Sequence, residues 1–208
     1  MATKHGKLAR LYWWDDTATN VTAESCTASV LEAQITTATM RRFNPNAAIV
    51  IGGTAIPVAD IDYVNGIIKF QSSVAGSAVT VTGEYILQAN LAEVGYITDW
   101  TLNMSLDLAE ETAMGDVWKS YKAGIASWNA SATGFFQDDT LGAMLTGEAS
   151  PHENRLWLIE FYVDAPAELD RYVGWGIVSG VNVNATIGDL IKSPITIQGF
   201  KNIAFFAS

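Results

Sequence analysis

The sequence predicts a mainly β protein: a sandwich or barrel with one short flanking helix and a small β-rich insertion. Three observations carry this. Apolar and polar residues alternate with a period of two over several stretches, helical periodicity is sparse, and turn residues punctuate the chain at short intervals. With 208 residues, 49% of them hydrophobic, the chain has enough material for one full core and a small appended module.

Taken in order, the first ten residues form a basic arm with Lys4, Lys7 and Arg10 and no acid. Trp13 and Trp14 then either begin the first strand or anchor that arm to a neighbour, and Arg10-Leu11-Tyr12-Trp13-Trp14, the nearest match to a basic stacking groove for nucleic acid, is followed at once by Asp15 and Asp16. Between Arg42 and Leu87 short apolar pieces alternate with turns: Ile49 to Ile51, Ile56 to Val58, Ile67 to Phe70 and Val79 to Leu87. Asn65-Gly66 between Asp62-Tyr63-Val64 and Ile67-Ile68-Lys69-Phe70 predicts a two-residue type I′ hairpin, because that turn needs positive φ at both central positions. The clearest alternation runs from Trp100 to Leu108, with Trp100, Leu102, Met104, Leu106 and Leu108 on a buried face and Thr101, Asn103, Ser105 and Asp107 on a wet one. A helical turn or two is expected over Asp116 to Gly124, with Trp118 and Tyr121 on one side. Trp128, Ala130 and Ala132 resume the strand period.

Asp138-Asp139-Thr140 is a helix start ahead of Leu141, Met144 and Leu145, and Gly147 and Pro151 end it. Leu156 to Val163 is apolar on both faces except for Glu160. It reads as a central strand covered on each side or as one that meets another subunit, and the charge favours the second. Val181 to Ile187 alternates again. The resulting division is 1–27 for an N-terminal arm and first strand, 28–90 for the β-rich insertion, and 91–208 for a β-sandwich core completed by the N-terminal strand.

The chemistry-bearing residues are few. Twelve Lys and Arg stand against 22 Asp and Glu, which argues against a protein that grips phosphate backbones. The lone Cys26 has no partner for an internal disulfide, so folding in the cytoplasm is expected. No apolar run approaches the ~20 residues of a membrane helix, and the first residues lack a signal peptide's apolar core. His5 and His152 are not spaced with other metal ligands. The pairs Asp15-Asp16, Glu110-Glu111 and Asp138-Asp139 resemble glycosidase carboxylates only superficially, since adjacent strand residues point to opposite faces. Gly52-Gly53 and Gly174-Trp175-Gly176 are turn and strand glycines rather than phosphate loops. Of seven tryptophans, Trp100 and Trp128 lie in the apolar phase of their strands and are assigned to the core, whereas Trp13, Trp14 and Trp175 are candidates for exposed, sugar-binding positions.

The segment Ile97-Thr98-Asp99-Trp100-Thr101-Leu102-Asn103-Met104-Ser105-Leu106-Asp107 is followed by Glu111-Thr112-Ala113-Met114-Gly115-Asp116-Val117-Trp118-Lys119 and by Gly124 to Trp128. This block resembles the major tail proteins (tail tube proteins) of long-tailed bacteriophages. There a strand, an E-T-x-x-G-D-x-W-type turn and a second strand opening on a tryptophan recur in this order. Gly134-Phe135-Phe136-Gln137-Asp138, a short helix and a strand such as Leu156 to Val163 continue the plan. The resemblance covers the chain from Glu93 onward, and residues 28–90 look like inserts of some phage structural proteins.

The resemblance implies a structural virion protein, not an enzyme, with no catalytic, cofactor-binding or metal-binding residues and no cofactor. Its subunits would associate with copies of themselves as hexameric rings stacked into a tube, with arms and a long hairpin reaching the next ring. A tape measure protein and a tail terminator are the implied further partners. DNA would pass through without specific binding, and there would be no membrane insertion. The setting would be the virion tail, assembled in the host bacterial cytoplasm. The rival readings are another virion component, such as a capsid decoration or baseplate protein, and a carbohydrate-binding β-sandwich.

Overall fold

The computed structural model describes residues 8–14, 17–111, 118–119, 121–136, 156–163, 170–181 and 193–207. It is mainly β, with twelve strands among the described residues and two single-turn 3-10 helices, η1 (Ala38–Met40) and η2 (Gln88–Asn90). The strands are β1 (Leu8–Trp14), β2 (Thr19–Ala28), β3 (Glu32–Ile35), β4 (Val50–Gly52), β5 (Val58–Asp62), β6 (Ile67–Phe70) and β7 (Thr80–Tyr85), then β8 (Leu91–Glu110), β9 (Tyr121–Phe136), β10 (Trp157–Tyr162), β11 (Arg171–Val181) and β12 (Ser193–Phe206). The helix expected after Asp138 and the alternation expected over 182–187 lie outside the described residues.

Six strands close a barrel in the order β1-β10-β11-β12-β9-β8, and the other six form a second sheet in the order β4-β7-β2-β3-β6-β5. Every pairing is antiparallel. The second sheet is therefore built from the chain between two strands, β1 and β8, that are themselves neighbours in the barrel. Its first strand, β2, begins at Thr19.

The period-2 rule explains the barrel interior. Ala9 and Leu11 of β1, Trp157, Ile159 and Phe161 of β10, and Ile195 and Ile197 of β12 point inward with Trp128, Ala130 and Ala132 of β9. On β1, β10 and the neighbouring β11 the alternate residues do not face water either. Tyr12, Trp14, Leu158, Val173 and Trp175 pack outside the barrel against Val64 and Ile86 of the second unit. Strand β10 is buried at all six positions, and both covers come from this one chain. The sequence reading favoured a second subunit over Glu160. The structure instead puts Glu160, 8% exposed, beneath the second unit, where the chain folds back over its own sheet. Full burial of side chains such as Leu158, Ile159 and Phe161 contributes about 1.5–3 kcal/mol each. A third cluster, including Ile35, Phe43, Ile68 and Val81, fills the second unit alone.

Three other expectations need correction. The Asn65-Gly66 turn is a four-residue connection, since Asp62 pairs with Ile67, and within the dipeptide only Gly66 takes a positive φ, 62°. The Asp62 carboxylate sets this longer turn: Oδ1 accepts from the N–H groups of Val64 and Asn65 at 2.9 and 3.0 Å, and Oδ2 from Asn65 Nδ2 at 2.8 Å. Tyr121 to Gly124, expected in a helical turn, are the start of β9, where pairing with β8 overrides local periodicity. Finally, Arg10, assigned to the basic arm, belongs to β1 and pairs in register with Glu160.

Trp128 shows how tightly the barrel is shaped. Its indole Nε1 donates to the Lys201 carbonyl at 3.1 Å, and the ring lies against two glycines: a Cβ added at Gly199 would sit 2.4 Å from the ring, and one at Gly174 would sit 2.8 Å from it. Gly199→Ala is therefore expected to overpack the barrel and destabilise it by about 1–3 kcal/mol. Gly180→Ala, with open space around the new methyl group, should change stability far less. Chemical denaturation of the two variants beside the parent chain checks this, and equal midpoints for both would contradict the packing described.

Candidate assembly surfaces and an interior charge cluster

The β8–β9 hairpin is the longest feature of the molecule. Strand β1 pairs with β8 only from Leu91 to Ile97, and β12 pairs with β9 only from Asn129 to Gly134. Beyond those points, from about Met104 to Glu110 and Tyr121 to Ser127, the described hairpin is a two-stranded ribbon that pairs with no further strand. Its register shifts between Leu106 and Leu108, where Gly124 and Ile125 face Asp107 as a bulge.

The two faces of this ribbon differ. On one face Trp100 and Leu102 pack against the barrel core, as the alternation predicts. The same row then leaves the core: Met104, Leu106 and Leu108 are 57%, 50% and 61% exposed, although the sequence placed them on a buried face. Ile125, Tyr121 and Trp118 are also exposed, Trp118 at 85%. Alternation gives the side a residue faces, but not where along a strand its cover stops. The opposite face is polar and uncharged from 101 to 105. Asn103 Nδ2 donates to Asn129 Oδ1 at 3.2 Å, and the Ser105 and Ser127 hydroxyls lie 2.9 Å apart. Register extends these rows laterally, with Thr101, Ser131 and Thr196 in one and Asn103, Asn129 and Gln198 in another. A shallow groove of about 340 Å³ runs along this face, lined in part by Asp99, Thr101, Ser131 and Thr196.

At the far end of the hairpin two exposed ion pairs tie the strands together, Lys119 to Glu110 at 2.9 Å and Lys122 to Glu111 at 3.1 Å. Glu110 and Glu111 are thus committed to separate lysines rather than converging on one point. The other two acid pairs and both histidines lie outside the described residues. Among the described residues no group of three or more His, Cys, Asp or Glu side chains could hold a metal ion.

The tryptophan assignments are partly reversed. Trp14 and Trp175, candidates for exposure, are 4% and 0% exposed and meet edge to face at 6.2 Å, while Trp13 packs partly buried against the barrel core. Trp128 is buried as expected, and Trp100 is partly so.

Among the described residues of the barrel the buried carboxylate is Glu160, and it sits in a cluster of opposite charge. Tyr162 Oη donates to Glu160 Oε2 at 2.5 Å, and Arg171 Nε lies 4.0 Å from Oε1. The Arg10 guanidinium lies over the Tyr162 ring, 5.7 Å from its centroid, and Arg171 lies over Phe206 at 4.9 Å. Burial, the hydrogen bond to Glu160 and its negative charge all push the Tyr162 phenol well above the usual tyrosine range. Burial lowers the Arg42 pKa, with Arg171 adding to the effect while Glu160 and Tyr12 oppose it. This is the chemistry of a largely buried junction between two sheets.

Comparison with known proteins adds one kind of match. No family model matches the chain, and no curated protein does. Among solved structures, the virion of a native gene transfer agent particle contains a chain 12% identical, matched over 58% of this chain and 92% of that one with a TM-score of 0.43. The tail of an empty gene transfer agent particle, refined with helical C6 symmetry, matches at 11% identity over 58% of this chain and 89% of that one, also at 0.43. The second is a tail assembly, the class that the sequence resemblance implied. With TM-scores below one half, neither likeness decides between functions.

Cys26 is the remaining reactive group. Burial, with Glu24 nearby, pushes its thiol up to about 11. Since the thiolate is the reactive form, alkylation is expected to be slow near neutral pH and to accelerate as pH rises toward 11. A pH series of iodoacetamide labelling followed by mass spectrometry checks this, and fast labelling at neutral pH would contradict it.

Proposed function

We propose that this chain is a tail tube subunit, a non-enzymatic protein of a phage-like virion that assembles with its own copies into stacked hexameric rings and so forms a conduit for DNA. The observation that carries this reading is the β8–β9 hairpin. A two-stranded ribbon is marginal in water by itself, an exposed apolar row marks an interaction surface, and unpaired strand edges invite pairing with another chain. All three coincide between Met104 and Ser127. A neighbouring copy laid against Met104, Leu106 and Leu108 removes the apolar row from water and caps the free edges.

The polar rows on the other face suit a lumen. Thr101, Asn103, Ser105, Ser127, Asn129, Ser131, Thr196 and Gln198 offer uncharged hydroxyl and amide groups. A wall without clustered positive charge does not hold phosphates, and the chain's net charge of −10 disfavours DNA retention further. The second sheet lies on the barrel's outer face, across the wall from the rows assigned to the lumen, and in this reading it is an insertion carried on the outside of the tube. A tape measure protein, a tail terminator, a place in the virion tail and assembly in the host cytoplasm belong to the same reading.

Leu106→Asp combined with Ile125→Asp puts two charges on the exposed ribbon and touches no buried residue. The variant is expected to keep the parent's far-ultraviolet circular dichroism and melting temperature at low concentration while losing ring and tube formation. Negative-stain electron microscopy over a concentration series reads the outcome. Tubes from the variant equal to those of the parent would remove the hairpin from the assembly surface.

A further inference from the structure

The junction between the two sheets holds more than it needs for its own cohesion. A cavity of about 180 Å³ lies there, lined by Arg41, Arg42, Arg171, Glu160, Asn65 and Gln34 among others. Three arginines and one glutamate thus line one cavity in a chain whose overall charge is −10. The single carboxylate is partly spent: Oε2 takes the Tyr162 hydrogen bond, and Oε1 is at the 4.0 Å limit from Arg171 Nε. Arg41 uses Nε on the Ile35 carbonyl at 3.0 Å, and Arg42 uses one terminal nitrogen on Gln88 Oε1 at 2.6 Å. Each of these bonds employs only one of a guanidinium's five donors, and Arg42 Nε and Arg171 Nε are buried with no hydrogen-bond partner among the described residues. Ala38, beside them, is exposed and leaves the cavity a mouth to solvent.

From this arrangement we infer that the cavity between the barrel and the second sheet is a binding site for a small tetrahedral oxyanion of the phosphate class, held by Arg41, Arg42 and Arg171. The chemistry follows from the donors. Guanidinium forks match the oxygen spacing of phosphate and bind it in pairs of parallel hydrogen bonds. Burial disfavours the charged form of Arg42 and the nearby Arg171 adds a smaller effect in the same direction, so an anion beside them offsets a cost already built into the fold. Asn65 and Gln34 supply amide groups at the same wall, with Gln34 Nε2 held on the Asn65 carbonyl at 3.1 Å. The volume suits one oxyanion with a water or two, and it is too small for a nucleotide. The site does not depend on tube formation, because every residue in it comes from one chain.

The test uses the full chain at a concentration where it is unassembled. Inorganic phosphate is titrated against sodium chloride at matched ionic strength, with ³¹P line broadening and the melting temperature as readouts. The expected result is saturable broadening and a saturable rise in melting temperature that chloride does not reproduce, both lost in Arg41→Gln. Arg41→Lys, which keeps the charge and loses the fork, should bind more weakly than the parent. Overturning results are no saturable broadening with the parent chain, or phosphate effects of the same size in Arg41→Gln. Should Arg41→Gln fail to fold, the ³¹P titration of the parent alone decides. An oligonucleotide that broadened as strongly as free phosphate would also overturn the assignment to a small anion.

Discussion

The structure turns on a sheet wall with no wet side. In β1, β10 and β11 the inward residues fill the barrel, and the outward ones, among them Tyr12, Trp14, Leu158 and Trp175, are as apolar as a second core. Such a wall has to be covered, because leaving those side chains in water forfeits a stabilisation of about 25 cal/mol for each Å² of apolar surface. The segment between β1 and β8 supplies the cover through Val64, Ile86 and Tyr63. The second sheet is thus joined to the barrel by packing as well as by the chain. The Glu160 cluster lies at the same seam, where a carboxylate under a covering sheet needs hydrogen-bonded and cationic partners to be tolerated.

The opposite wall, β8, β9 and β12, is organised by the reverse constraint. Along Thr101–Ser105, Asn129–Ser131 and Thr196–Gln198 it is apolar inside and uncharged-polar outside, the arrangement of an antiparallel sheet that keeps one side in water. The hairpin prolongs this wall past the end of the barrel. There the apolar side loses its core, and the polar rows continue unchanged through Ser105 and Ser127. One alternating pattern therefore serves two purposes, packing the barrel in its first half and presenting an interaction surface in its second.

Much of this was legible in the sequence. Period-2 alternation located β8 and β9, and the double-sided apolar run of 156–163 announced β10 as a covered strand. It did not say what covered it, since that depends on a contact between residues about a hundred positions apart. Trp14 and Trp175 were misjudged for the same reason, both being sealed by the second unit. Strands β2 and β3 went unrecognised because their residues, such as Thr22, Glu24, Thr27 and Gln34, are largely polar, and their places come from pairing with β6 and β7. The loss of burial beyond Leu102 had no local signal, as Leu102 and Leu106 look alike in sequence. The arginine-lined cavity was equally hidden, because Arg41 and Arg42 meet Glu160 and Arg171 only once the two sheets are stacked.

The pairing of β1 with β10 has a consequence for how the chain acquires its structure. Leu11 sits opposite Ile159, so residues from the beginning of the chain wait for residues synthesised almost 150 positions later before the wall is complete. Contacts of such long sequence separation slow folding, since loop closure precedes the energetic return. The second sheet is made of nearer neighbours, 19–85, and has its own apolar cluster. On a ribosome it can form while the barrel is still open, which leaves β1 and β8 paired and waiting for the other four strands of the barrel, all of them later in the chain.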